Sequence, residues 1–356
     1  MWTLPNLKCG DRVEVRSREE ILATLDARGA LADMPFMPEM LQFCGRRFTV
    51  VAVSHKTCDT VTRTGGRKLD RTVHLQGTRC DGNAHGGCEA DCNLFWREEW
   101  LKRVPRDRKA APERALLSAS ASTRVCTEET LLAATQVPSS TSDSPIYSCQ
   151  ATRLLAASRP LAWWNVRQYW LDVRTGNHRL AHALRTLSLA SVHRLTHMPF
   201  GYRVFRALYS WLHRRLTGRP APPVTGVIPK GVATPVEVLD LKPGELVRVK
   251  TAAQIATTLS ISNRNRGLWF DPEDQPYCGG IYPVRRQITR IIDERSGCML
   301  TMRTPCVSLE GVNCPALYSA KRMLCPRAIP TYWREIYLER VASEDADPRR
   351  NSYGPE

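Results

Sequence analysis

The 356-residue chain lacks any run of 18 apolar residues, so no segment reads as a membrane-spanning helix. It has no phosphate loop, no Gly-x-Gly-x-x-Gly fingerprint and no Gly-x-Ser-x-Gly elbow. Those absences remove the commonest nucleotide-binding and hydrolase classes. The opening Met1-Trp2-Thr3-Leu4-Pro5-Asn6 has no basic region followed by an apolar stretch, so no secretory signal is expected. Acidic residues are in deficit, 35 Asp and Glu against 51 Lys and Arg, for a net charge of +16. Cys-x2-Cys knuckles are missing although the chain holds 13 cysteines. The expected location is cytoplasmic, with peripheral membrane attachment as a further option. There, 13 cysteines read as metal ligands or packing thiols before disulfides. With 42% apolar and 24% charged residues the chain is globular, and its length suits two or three domains.

The positive charge is concentrated. Residues 1–104 hold 16 basic and 14 acidic side chains, whereas residues 151–216 hold eleven arginines and one acid, Asp172. Five of the eight histidines lie in that same central segment. A partner that reads charge is expected to meet the chain there.

Residues 7–80 match residues 241–314 at a constant offset of 234, with 19 identities over 74 positions. Phe36-x-Pro38-Glu39 returns as Phe270-x-Pro272-Glu273, and Leu75-x-Gly77-x-x-Cys80 as Leu309-x-Gly311-x-x-Cys314. At an offset of 237, Cys88-x7-Trp96-Arg97-Glu98 matches Cys325-x7-Trp333-Arg334-Glu335. Each copy opens with an alternating strand, Asp11–Arg16 or the one carrying Val247 and Val249. Capping boxes follow, Ser17-x-x-Glu20 and Thr251-x-x-Gln254, each starting a short helix. Further strands are expected at Phe48–Val53, Val73–Gln76, Tyr282–Ile288 and Val307–Glu310, and a closing strand or short helix at Trp96–Val104 and Trp333–Val341.

The expected fold is therefore α+β, with two duplicated, small, mostly-β, metal-stapled modules at 1–104 and 236–341. Between them the composition predicts a disordered Ala/Ser/Thr/Pro linker at 105–158, a basic amphipathic helical segment at 159–217 and a Pro/Gly linker at 218–235. Residues 342–356 read as a disordered tail.

The landmarks Pro35-Phe36-Met37-Pro38-Glu39-Met40, Phe43-Cys44-Gly45, Lys56-Thr57-Cys58 and Trp333-Arg334-Glu335 resemble those of a family of duplicated, Cys-rich bacterial proteins, and the likeness spans both repeats and the arginine-rich centre. The resemblance implies an intracellular bacterial origin and brings no activity with it. Lys8-x-Gly10-Asp11-x-Val13-x-Val15 also resembles the first strand of SH3-like barrels.

Three thiols recur in both copies, Cys44, Cys80 and Cys88 in the first and Cys278, Cys314 and Cys325 in the second. A thiolate site for zinc or an iron–sulfur cluster usually needs four ligands. Cys92 and Cys306 are the expected fourth members, with Cys58, His85 and Cys298 as substitutes. Zinc is the expected metal, as a staple for a small β unit, and an iron–sulfur cluster is the alternative. Cys126 and Cys149 read as exposed bystanders in the linker. The packing of free cysteines as small hydrophobes is the competing interpretation. His55 and Cys58 stand three apart on one strand, which points them to opposite faces and argues against a nucleophile pair.

In the central segment, Phe205, Leu208, Tyr209, Leu212 and Leu216 follow helical spacing, with arginines on the other side. Arg194, Arg203, Arg206, Arg214 and Arg215 are the candidate contacts to an acidic partner, either nucleic acid or an anionic membrane surface. A third use, as a spacer with solvated arginines, fits the same pattern. The function expected from sequence is a metal-stabilised two-module binding, scaffold or accessory protein, with another protein subunit as a further partner. The alternative is an iron–sulfur or zinc metalloenzyme or redox protein with an open thiolate position. Whether it is an enzyme is left open.

Overall fold

The computed structural model describes residues 5–62, 64–105, 126–137, 144–195, 202–218, 221–222, 224–318 and 322–341. The chain is α+β and divides into two compact units. Unit 1 comprises Met1–Arg179, Ile292–Leu300 and Cys325–Arg327; unit 2 comprises Leu180–Ile291, Thr301–Leu324 and Ala328–Glu356.

In unit 1 a five-stranded sheet runs in the order Trp96–Arg97, Thr72–Leu75, Arg47–Val53, Arg12–Val15, Leu101–Arg103. The alternation seen in the sequence sends Val13 and Val15 inward, both fully buried. Ser17 caps helix α1 (Arg18–Leu22) with the expected capping box, and Ile21 is its buried residue. A 3-10 turn, Glu98–Trp100, links the last two strands. The core is aromatic: Phe36 meets Trp96 and Trp100 edge-on, with ring centroids 6.2 and 5.2 Å apart. Each indole N–H has a partner, Trp96 to Thr78 Oγ1 and Trp100 to Thr24 Oγ1.

The segment expected to be a disordered linker is a correction. Residues 106–125 and 138–143 lie outside the described residues. The remainder is folded into unit 1. Helix α2 (Glu128–Ala133) is capped by Thr127, and Cys126 and Leu131 are buried in the first core. Helix α3 (Gln150–Arg153) follows a two-stranded ladder of Gln136–Val137 with Ile146–Tyr147. The segment is poor in large apolar residues, yet Leu131, Tyr147 and Leu154 suffice because all three are buried.

The central helical segment is divided between the units. Helix α4 (Arg167–Arg174) belongs to unit 1, where Arg159–Leu161 extends the hairpin of Lys56–Cys58 and Gly66–Lys68 to three strands. Helices α5 (Leu180–Leu195) and α6 (Tyr202–Thr217) belong to unit 2 and pack on each other. A four-stranded sheet is ordered Met299–Leu309, Ile281–Ile292, Leu246–Val249, Leu338–Arg340. Thr251 caps helix α7 (Ala252–Ala256) with a capping box. Phe270 meets Trp333 and Tyr337 edge-on at 6.1 and 5.8 Å, and a 3-10 turn, Glu335–Tyr337, precedes the last strand. Residues 342–350, and the rest of the expected tail, lie outside the described residues.

Candidate metal centre

Four cysteines of unit 1 line one cavity: Cys80, Cys88, Cys92 and Cys149. Three come from a single loop. Its ends are tied by the Cys80 N–H donating to the Cys92 carbonyl at 2.9 Å, and by the paired residues Arg79 and Asn93. Between them the backbone curls tightly, with the N–H groups of His85 and Gly87 both donating to the Gly82 carbonyl. Gly82 has φ +74°, and a Cβ there would collide with the Cys88 backbone, so the curl requires glycine. The fourth thiol, Cys149, sits at the N-cap of α3. Gln150 fixes that helix start, because its side chain accepts from Phe95 N and donates to the Phe95 and Pro35 carbonyls.

The exposed wall is largely apolar, from Met37, Ala90, Leu94, Phe95, Ala151 and Ile292, and His85, Asp91, Asn93, Gln150 and Arg327 also line the cavity. Burial raises the thiol pKa of Cys80 and Cys149, and pushes that of Cys92 up to about 12. Neighbouring thiols add to this effect: Cys92 and Cys149 act on Cys80, and Cys88 and Cys149 on Cys92. The four therefore form a mutually interacting group. The Cys88 sulfur also accepts the Ile292 backbone N–H at 3.3 Å. Hydrogen bonds to ligating sulfurs are a recognised means of tuning thiolate-held metals.

His85 does not serve as a spare ligand. Its Nδ1 is 2.6 Å from Glu39 Oε1 and its Nε2 3.1 Å from the Ser148 carbonyl, and both side chains of the His–Glu pair are buried. Glu39 also accepts the Ala84 N–H. Both ring nitrogens are thus committed, and the pair braces the loop from beneath. Cys44 does not join the group either. It packs on the first core among Arg18, Glu19 and Glu128, and burial pushes its thiol up to about 11.

Cys278 packs on the second core, and Cys306 is buried with its sulfur 3.3 Å from Met302 Sδ and 3.8 Å from the Ile288 carbonyl. Cys314 lies near Tyr277 and Arg322. Cys298 sits in a turn with its sulfur 4.0 Å from the Ser296 carbonyl. Cys325 falls in unit 1, where it shares a hydrogen bond with the substitute ligand Cys58. Among the described residues, no three or more His, Cys, Asp or Glu side chains converge on a position for one metal ion.

Of the charged candidates, Arg206, Arg214 and Arg215 are exposed on α6, and the side chains of Arg194 and Arg203 lie outside the described residues. The same helix exposes Val204, Leu208 and Trp211 in one stripe, Trp211 at 63%. Its opposite side is held in unit 2 by Tyr209 and by His213, whose Nε2 is 3.2 Å from Tyr318 Oη. No described helix is long and apolar enough to cross a membrane. No family model and no curated protein matches the chain.

Proposed function

We propose that the chain is an iron–sulfur protein whose cluster is held by Cys80, Cys88, Cys92 and Cys149. The observation that carries this reading is the convergence of four interacting thiols on one largely apolar cavity. A single zinc ion with bonds of ~2.3 Å needs its sulfurs nearly in contact. The described side chains do not converge that closely. A cluster carries its own iron and sulfide between the thiolates, so its ligands stand further apart. Four thiolates complete the coordination of either common cluster type, which suits electron transfer or a structural role over substrate binding at iron. Anaerobic purification with elemental analysis tests this. Iron with an equal amount of acid-labile sulfide supports it, and zinc or no metal overturns it.

The duplication and the SH3-like topology form the frame of this proposal. In each unit the first strand lies between the second strand and the last, and a 3-10 turn precedes the last strand. Residues aligned by the offset make matching contacts. Arg97 donates to the Ala32 and Asp70 carbonyls, and Arg334 to those of Arg266 and Thr304. Glu39 accepts from Ala84 N, as Glu273 does from Tyr318 N. Glu98 and Glu335 each accept the backbone N–H groups entering their own module.

A second part of the function rests on α6. Its exposed stripe of Val204, Leu208 and Trp211 beside Arg214 and Arg215 supports docking to an anionic membrane surface. Vesicle binding that requires acidic lipid tests it.

A further inference from the structure

Outside the four-thiol cavity, unit 1 contains a second pair of sulfurs. Cys58 ends the strand Lys56–Cys58 and is buried, at 6% exposure. Cys325 comes from the short stretch Cys325–Arg327 and is partly exposed. The Arg327 guanidinium donates to Thr60 Oγ1 at 3.3 Å, which brings the two stretches together, and the Cys58 and Cys325 side chains are hydrogen-bonded to each other, so the two thiols are neighbours. Both partners are held in place. The Arg327 guanidinium binds Glu294 at 2.7 Å and donates to Thr60 Oγ1 at 3.3 Å, two residues beyond Cys58. Lys56, two residues before Cys58, is pinned to Asp172 at 2.6 Å. The hydrogen bond to Cys325 and burial hold the Cys58 thiol well above its ordinary pKa, with the Arg327 guanidinium acting against them, and Lys56 stands near Cys325, the attacking thiol.

We infer that Cys58 and Cys325 form a reversible disulfide by exchange with a low-molecular-weight disulfide such as oxidised glutathione. Cys325, the more exposed, attacks the small disulfide as thiolate, forms a mixed disulfide and expels one glutathione thiolate. Cys58 then attacks the Cys325 sulfur and releases the second glutathione. Two protein thiols are oxidised, one glutathione disulfide is reduced to two glutathione molecules, and the two thiol protons pass to the departing thiolates. Cys325 thus links a strand of the first module to a segment near the end of the chain, and the bond locks Cys325–Arg327 onto unit 1.

The inference does not depend on the metal assignment. Full-length protein is reduced, equilibrated anaerobically over a series of glutathione redox ratios, alkylated and digested with trypsin. The expected product is the peptide Thr57–Arg63 joined to Met323–Arg327, two hydrogen masses lighter than the sum, which reverts to separate alkylated peptides on reduction. Cys58→Ser is expected to abolish the linked peptide and leave Cys325 glutathionylated. Cys149→Ser, which disrupts the proposed metal centre, is expected to leave the linked peptide unchanged. Alkylation of both thiols at every ratio, glutathione on each without a link, or a link from Cys58 to another cysteine would each overturn the inference.

Discussion

Lys56 Nζ lies 2.6 Å from Asp172 Oδ2, and both side chains are buried. Burial pushes the lysine pKa down and the carboxyl up to about 6, so each partner resists its own charge and is held charged mainly by the other. Such a pair places elements more than it stabilises them. Here it sets α4 on the strand that carries Cys58. Lys56→Met alone is expected to destabilise unit 1 by about 3–5 kcal/mol, since it strands a buried carboxylate. The double change Lys56→Met with Asp172→Leu is expected to cost much less. Differential scanning calorimetry of both variants reads the difference.

His74 is buried, with Nδ1 2.9 Å from the Leu94 carbonyl, and burial lowers its pKa to about 4. In the unfolded chain it protonates near ~6.5. The unfolded state therefore binds a proton first, and its stabilisation is full above pH ~6.5 and lost as pH falls towards 4. The loss is about 3 kcal/mol over that window. His74→Gln keeps a donor for Leu94 and is expected to flatten the decline by that amount in urea titrations at pH 6.5 and 4. An unchanged slope would remove His74 as a source of acid sensitivity.

The loop that carries three of the four thiols is expected to fail through its backbone. Gly82→Ala forces a Cβ into the Cys88 backbone at a left-handed position, so metal content is expected to drop while the sheet survives. Glu39→Gln is expected to weaken the brace on His85 and lower metal content more mildly. Far-UV circular dichroism with metal analysis separates the two effects from unfolding.

On α6, neutralising Arg214 and Arg215 together is expected to weaken binding to anionic vesicles by about 30-fold, at roughly 1 kcal/mol for each basic residue near the surface. Trp211→Ala is expected to reduce binding to the same vesicles at high salt, where the apolar contribution dominates. Binding to oligonucleotides with no affinity for vesicles would assign the face to nucleic acid instead.

Much of this architecture was legible in the sequence. Both capping boxes and the inward valines follow from local spacing, whereas the aromatic partners of Phe36 and Phe270 lie about 60 residues away and had no local signal, and on α6 the expected apolar face of Phe205, Leu208, Tyr209, Leu212 and Leu216 is divided, with Tyr209 buried and Leu208 exposed. The first-module thiols Cys80, Cys88 and Cys92 share one loop, so their meeting was local too. Cys149 was missed because its surroundings are rich in Ser, Thr and Pro and read as linker. The available signals were Cys126-Thr127-x-x-Thr130 and Cys149-x-x-Thr152, the cap patterns that start α2 and α3. Cys44, the expected ligand, matches Cys278 at the offset of 234, and each of the two packs against its own core. The contact of Cys58 with Cys325 had no local signal at all, since it depends on which segment the tertiary fold returns to the strand.

The most direct test compares Cys149→Ser with Cys44→Ser, each purified anaerobically beside the unaltered chain and assayed for iron, acid-labile sulfide and absorption near ~400 nm. The unaltered chain and Cys44→Ser are expected to hold iron and sulfide in equal amounts, and Cys149→Ser to lose most of both. An unaltered chain without iron, or a Cys149→Ser protein that keeps its cluster while Cys44→Ser loses it, would contradict the four-thiol centre.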